Sequence, residues 1–167
     1  MPHSYKNESG FTLVELSMVL VIVGLIIGDV IAGRSLISAS ELQSVVTEVT
    51  AYKQAFNDFR DKYHAVPGDF SGATAIWGAA DPTPSTCWAT VGTGTHTCDG
   101  NGNGTLNDSG TLPPSYNLAS NYEQFRAWQH LANAGMIDGH YTGVNGAGGY
   151  SYTVPGTNVP ASKLPGA

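Results

Sequence analysis

The sequence predicts an α+β fold in which one long N-terminal helix, from about residue 11 to about residue 64, packs on a small, loop-rich head. Two observations predict the helix: residues 11–32 are almost wholly apolar, and an amphipathic pattern then continues with no proline before Pro67. The third observation is a shift to Gly, Thr, Asn, Ser and Pro in the remainder, which is typical of loops. In this head we expect a second helix and a short antiparallel sheet.

The first apolar segment is long enough to cross a membrane. The 22 residues from 11 to 32, at about 1.5 Å each, span about 33 Å, enough for the hydrocarbon core of a bilayer. We therefore divide the chain into a polar N-terminal segment (1–10), a transmembrane helix (11–34) and a head (35–167) that includes the amphipathic half of the helix. A secretory signal peptide would carry a small-x-small cleavage site after the apolar run, whereas here the small residue, Gly10, precedes it.

One carboxylate, Glu15, lies near the start of this apolar segment. An acid in hydrocarbon costs about 2.5 kcal/mol or more unless another group pairs with it. The sequence therefore predicts a partner for Glu15. The alternative is a plain membrane anchor with an incidental acid.

The segment 10–16, Gly-Phe-Thr-Leu-Val-Glu-Leu, resembles the cleavage and methylation signature of type IV pilins and type II secretion pseudopilins. The resemblance implies that a prepilin peptidase cuts after Gly10 and methylates the new amino terminus of Phe11. Residues 1–10 would then be a leader peptide and residues 11–34 the transmembrane and assembly helix. It also maps Glu15 onto the family's membrane-embedded glutamate, which neutralises the N-terminal amine of a neighbouring subunit. A pairing of Glu15 with its own Phe11 amine is the alternative before assembly.

The resemblance implies a structural role, with residues 35–167 as a periplasmic pilin-like head. The subunit would sit in the bacterial inner membrane as a single-pass protein and then enter a type IV pilus-like filament or a type II secretion pseudopilus. Implied partners are identical or related pilin subunits through the N-terminal helix, the prepilin peptidase, and the assembly platform and motor. The alternative is a minor pilin whose head binds a surface or ligand in adhesion or DNA uptake.

The amphipathic half of the helix carries one apolar stripe, which we expect the head to cover. The stripe recurs at three- and four-residue steps through Leu42, Val45, Val46, Val49, Tyr52, Phe56, Phe59 and Tyr63. Pro67 followed by Gly68 predicts the end of the helix.

Two further elements are expected in the head. Ser120 and Glu123 have the spacing of a capping box, and apolar residues at helical spacing follow until Gly135. Residues 141–154 combine aromatic and β-branched residues with glycines, which predicts two short strands and a turn. Because two strands make a marginal sheet, we expect that further C-terminal strands are missing from this sequence.

A candidate calcium loop follows residue 98. Oxygen donors alternate along it as in the first half of an EF-hand loop, with a glycine at the turn. Its predicted ligands are Asp99, Asn101, Asn103, Thr105 and Asp108. The twelfth position is Gly110 and not Glu, so Asp108 or Glu123 would complete the shell and the affinity would be weak, about 10⁻⁴ M or poorer. The alternatives are an Asn/Gly-rich turn without an ion, and a purely capping role for Glu123.

The only two cysteines, Cys87 and Cys98, predict a disulfide in an oxidising compartment. A zinc or redox site would need more ligands than these two and His96, or a Cys-x-x-Cys pair.

Composition excludes several function classes. The net charge of −6 and the absence of Lys and Arg between His64 and Phe125 argue against nucleic-acid binding. The histidines are scattered and no hydrolase or metalloprotease motif is visible, so we expect no enzyme activity. We interpret His130 as a surface or capping histidine.

Overall fold

The computed structural model describes residues 10–87, 89–106, 122–147 and 152–163. Within them lie four helices: α1 (Leu13–Tyr63), α2 (Ala73–Trp77), α3 (Pro84–Cys87) and α4 (Tyr122–Asn133). The chain divides into two compact units, Met1–Ser44 and Val45–Ala167. The long helix is therefore confirmed within two residues of its predicted bounds, and α4 is the predicted second helix. Predicted features at residues 1–9, at Asp108 and at Ser120 lie outside the described residues.

The described part of the first unit is almost entirely helix α1. Its apolar side chains are exposed, from Leu13 at 87% to Val23 at 45%. In the part of the chain that the structure describes, α1 is long and apolar enough to cross a membrane, judged by length and composition. Apolar surface on this scale is unfavourable in water and must meet lipid or other apolar side chains.

The second unit has an aromatic core built on the last turns of α1. Phe59 is completely buried and packs against four rings, one on α1 itself and three from other segments. These rings are Tyr63, Phe70, Trp77 and His130. Tyr52 and Phe56 instead meet the indole of Trp128 on α4, with ring centroids 5.2 and 6.0 Å away.

The expectation that the head covers the whole apolar stripe is wrong at Val46 and Val49. Val46 is 59% exposed and Val49 is 46% exposed, whereas Val45 is half-buried. Coverage begins at Tyr52, where Trp128 of α4 packs against α1. The periodicity was sufficient to predict a one-sided helix but not how far along it a partner element reaches.

Helix α1 ends in a residue with left-handed backbone conformation, followed by a tight turn. His64 has φ +52° and donates its N–H to the Arg60 carbonyl at 2.9 Å. Gly68 follows with φ +93°, and a side chain there would clash with the carbonyl oxygen of Glu123. The predicted Pro-Gly stop therefore also brings the end of α1 close to α4.

The antiparallel sheet stays a prediction. Among the described residues there are two isolated bridges, Ala79 with Thr97 and Pro155 with Val159, and no paired strands. Within the predicted strand pair, Gly146 donates its N–H to the Tyr152 carbonyl at 2.8 Å, while residues 148–151 lie outside the description. The backbone of Thr142 bonds to loop residues instead, donating to Thr157 and accepting from Gly92.

Candidate functional site

The start of α1 is a capping box formed by Thr12 and Glu15. The Glu15 carboxylate accepts the backbone N–H of Thr12 at 2.9 Å and its hydroxyl at 2.8 Å. In return, the Thr12 hydroxyl oxygen accepts the Glu15 N–H at 3.3 Å. Two donors at the helix start are thereby satisfied, and the negative charge lies at the positive end of the helix.

This capping box is a local partner for Glu15 that the sequence reasoning missed. The signal was present, because Thr-x-x-Glu directly before an apolar run is the sequence pattern of such a box. The predicted pairing of Glu15 with a Phe11 amine stays a prediction. The structure adds that the carboxylate already binds the backbone one residue after Phe11.

Gly10 and Phe11 are both exposed in the structure. Among the described residues, a Cβ atom on Gly10 would meet nothing within 4 Å, and the φ of Gly10 is not in the left-handed region. The described part of the fold therefore imposes no requirement for glycine at position 10.

The candidate calcium loop is held by hydrogen bonds in which its side-chain oxygens accept. Asp99 accepts the backbone N–H and the hydroxyl of Thr74, at 2.7 and 2.8 Å, near the start of α2. Asn101 accepts the N–H of Asn103 at 2.9 Å, and Asn103 accepts the N–H and hydroxyl of Thr105 at 2.9 and 2.7 Å. These are side-chain-to-backbone turns of the kind that Asp and Asn favour.

The same loop wraps around the carboxylate of Asp69, which is 2% exposed. Asp69 Oδ1 accepts the N–H groups of Gly102 and Asn103 at 2.6 and 3.1 Å, and Oδ2 accepts that of Gly104 at 2.6 Å. Three successive N–H groups aimed at one carboxylate form an anion-binding nest. Sequence reasoning missed Asp69, since it lies 30 residues before Asp99 and only the tertiary structure brings it there.

Calcium binding stays a prediction. Glu123, the proposed distant ligand, is buried and accepts the N–H of Asn101 at 3.3 Å, while Asp108 lies outside the described residues. Over the described ranges, no group of three or more His, Cys, Asp or Glu side chains could hold a metal ion. The observed contacts are those expected of the alternative, a turn held by its own hydrogen bonds.

The predicted disulfide between Cys87 and Cys98 is confirmed, with 5.8 Å between the Cα atoms. One face of α4 donates hydrogen bonds to the backbone of the loop that the disulfide closes. Arg126 donates to the carbonyls of Cys87 and Thr90 at 3.0 and 2.7 Å. Gln129 and Asn133 donate to further loop carbonyls, those of His96 at 3.1 Å and Thr95 at 2.7 Å.

His130, on the same face of α4, is completely buried, so its interpretation as a surface or capping histidine is wrong. Nδ1 accepts the N–H of Gly68 at 3.0 Å, which leaves Nε2 as the donor towards Thr97 Oγ1 and the Cys98 carbonyl at 3.1 and 3.2 Å. The ring also stacks on Phe59 at 6.3 Å. Burial and then the nearby Arg126 cation lower its pKa to about 3, although the Cys98 carbonyl acts in the opposite direction.

We expect removal of the disulfide to destabilise the head. In the variant with Cys87→Ser and Cys98→Ser, the free energy of unfolding should fall by about 2–3 kcal/mol, since the crosslink constrains a loop of about 12 residues in the unfolded chain. Urea unfolding of the full chain in detergent micelles, followed by tryptophan fluorescence, measures this. Reducing agent should destabilise the unsubstituted chain and leave the variant unchanged; equal stability of the two proteins without reducing agent would contradict the expectation.

Comparison with known proteins bears on the N-terminal segment. A family model for the prokaryotic N-terminal methylation motif matches residues 5–28, a range that includes Gly10, Phe11 and Glu15. No curated protein and no solved structure matches the chain.

Proposed function

On the premise that this chain carries the type IV pilin and pseudopilin signature at residues 5–28, we propose that it is a structural subunit of a type IV pilus-like filament or a type II secretion pseudopilus. Its partners are then identical or related pilin subunits, the prepilin peptidase, and the assembly platform and motor. Its location is the bacterial inner membrane, with the head in the periplasm, and later the filament. The observation that carries the proposal is the methylation motif at the start of an exposed apolar helix.

The exposed apolar side chains of α1 are suited to two successive environments. Side chains such as Leu20 and Ile31, which are 68% and 65% exposed, suit lipid in the membrane-anchored subunit and neighbouring helices in a filament. Exchange of lipid for helix contacts costs little apolar free energy, because both surroundings exclude water. A charge pair at Glu15 would then decide which neighbouring helix fits.

Processing at Gly10 is the most direct test. We expect co-expression with a prepilin peptidase to remove residues 1–10 and to add a methyl group at Phe11, as read from the intact mass. Gly10→Val should leave the precursor uncut, because the fold leaves open space at Gly10 and only the peptidase restricts it. Gly24→Ala is the matched control, since Gly24 also has open space and lies away from the cut. Cleavage of Gly10→Val as fast as the unsubstituted chain would overturn the proposal.

We also propose weak calcium binding at residues 99–108, with its own test. At about 10 mM calcium, a site with a dissociation constant of about 10⁻⁴ M would stabilise the head by about 2.7 kcal/mol. Thermal unfolding with calcium and with chelator measures this, and magnesium at the same concentration is the control. The double variant Asn101→Ala, Asn103→Ala should lose the effect. An unchanged melting temperature with calcium would show that the loop is a turn without an ion.

A further inference from the structure

The loop around Asp69 contains two Asn-Gly pairs, Asn101-Gly102 and Asn103-Gly104, and both asparagines are exposed. Asn-Gly is chemically labile because glycine has no side chain to hinder attack by its own backbone nitrogen. That nitrogen bonds to the asparagine Cγ, loses its proton, and ammonia leaves to form a cyclic imide. Water then opens the imide, giving aspartate or isoaspartate in place of the amide.

Both attacking nitrogens are held by one carboxylate. Gly102 donates its N–H to Asp69 Oδ1 at 2.6 Å and also to the Asp69 carbonyl at 3.1 Å. Gly104 donates to Asp69 Oδ2 at 2.6 Å. Attack requires each nitrogen to give up its proton and turn towards the asparagine side chain. A carboxylate at this distance opposes both, because it binds the N–H and repels negative charge developing on the nitrogen.

The asparagine side chains are also held in place by hydrogen bonds. Asn101 Oδ1 accepts the N–H of Asn103, and Asn103 Oδ1 accepts the N–H and hydroxyl of Thr105. Each amide oxygen is therefore bonded to the residue two positions ahead, which restricts rotation of the side chain.

We propose that Asn101 and Asn103 are latent deamidation sites and that the Asp69 carboxylate is the group that suppresses the reaction at both. One conversion adds a negative charge to the loop, close to the carboxylates of Asp69 and Asp99. Like charges at short range repel. An isoaspartate also lengthens the backbone of the turn. The first conversion therefore weakens the hold on the second pair, and a released loop is modified twice.

A third pair in the head, Asn145-Gly146, is the internal control. Gly146 donates its N–H to the Tyr152 carbonyl at 2.8 Å, so its protection does not involve Asp69. A change at Asp69 that acts only on the loop should leave this pair unaffected. A change that unfolds the head should accelerate all three pairs together.

The experiment compares deamidation rates by peptide mapping and mass spectrometry on the full chain in detergent micelles, incubated in mildly alkaline buffer. In the native chain, conversion at Asn101 and Asn103 should be slower by about ten-fold or more than in urea, because a hydrogen bond to a charged acceptor must first break. Asp69→Asn should raise both rates by a similar factor and leave Asn145 unchanged, since the neutral amide presents only one acceptor oxygen. Asp99→Ala is the matched variant, because Asp99 binds Thr74 and not the glycine nitrogens, and alanine before Gly100 adds no further Asn-Gly pair.

Three results would overturn the proposal. One is native conversion at Asn101 and Asn103 as fast as in urea, which needs no variant and stands even where Asp69→Asn fails to fold. Another is an Asp69→Asn chain in which Asn145 stays protected and the two loop rates do not rise. The third is faster conversion of Asn101 and Asn103 in Asp99→Ala than in Asp69→Asn, which would assign the protection to Asp99 and not to Asp69.

Discussion

Glu15→Gln is expected to abolish most filament incorporation while cleavage after Gly10 continues. The substitution keeps the capping box, since Gln can accept the Thr12 N–H as Glu15 does. It removes the charge, so a Phe11 ammonium of a neighbouring subunit would be left unpaired in an apolar filament core. Loss of one partner of a buried pair costs about 3–5 kcal/mol, which is more than a hundred-fold in an equilibrium. Filament yield against total processed subunit measures the effect.

The matched variant is Thr12→Val, which removes the hydroxyl of the capping box and keeps the Glu15 carboxylate. Loss of the cap costs about 1 kcal/mol of helix stability, so filament yield should fall far less than in Glu15→Gln. The opposite order, a severe defect in Thr12→Val with normal assembly of Glu15→Gln, would assign Glu15 to helix capping. The pairing across subunits would then be refuted.

Acidification from pH 7 to pH 5 is expected to lower the free energy of unfolding of the head by about 2 kcal/mol through His130 alone. The pKa of His130 is lowered to about 3 in the folded protein, against an ordinary value of 6.5. The folded state thus binds fewer protons than the unfolded state between these values. The contribution is complete above the unfolded pKa and is lost as the pH falls from 6.5 towards 3, at about 1.4 kcal/mol per pH unit.

The folded head favours a neutral His130 because of the direction of the hydrogen bond from Gly68. A proton added to Nδ1 of His130 would face the N–H that it now accepts, and would place a cation near buried Arg126. Acid should therefore open the turn after α1 before it melts α4. Hydrogen exchange at the Gly68 amide between pH 7 and pH 5, corrected for its intrinsic pH dependence, reports this step.

His130→Gln is the control for the pH dependence. Its absolute stability will be lower, but the slope of unfolding free energy with pH between 7 and 5 should be smaller than in the unsubstituted chain by about 1 kcal/mol per unit. The exposed histidines are present in both proteins, so they do not contribute to the difference between the two slopes. Asp81, whose pKa the Thr83 N–H lowers, loses its contribution only below about pH 4, outside the window. Equal slopes would contradict burial of a neutral His130.

Local pattern predicted the elements well. The unbroken apolar and amphipathic run predicted α1, and the apolar spacing after residue 122 predicted α4. The even pair of cysteines predicted the disulfide. Each of these depends on residues close in sequence, or on a pair with no alternative partner.

Tertiary contacts decided the roles of the polar residues. Asp99 has the spacing of a calcium ligand but binds Thr74, and the carboxylate at the centre of its loop is Asp69. His130 looks like one of several scattered histidines, yet it lies in the core between Phe59 and Trp77. No periodicity encodes these pairings, because the partners lie at least 25 residues apart along the chain.

The sequence alone determined that this chain has an N-terminal methylation motif, a membrane-length helix and a single acid near its start, since charge and hydrophobicity in one segment need no other segment to be recognised. Only the tertiary structure decided that Trp128 packs against α1 from Tyr52 onward and that Asp69 holds the glycine-rich loop. The physical reason is the same in each case. A hydrogen bond or a packing contact requires two groups at one place, and only the folded chain brings them together.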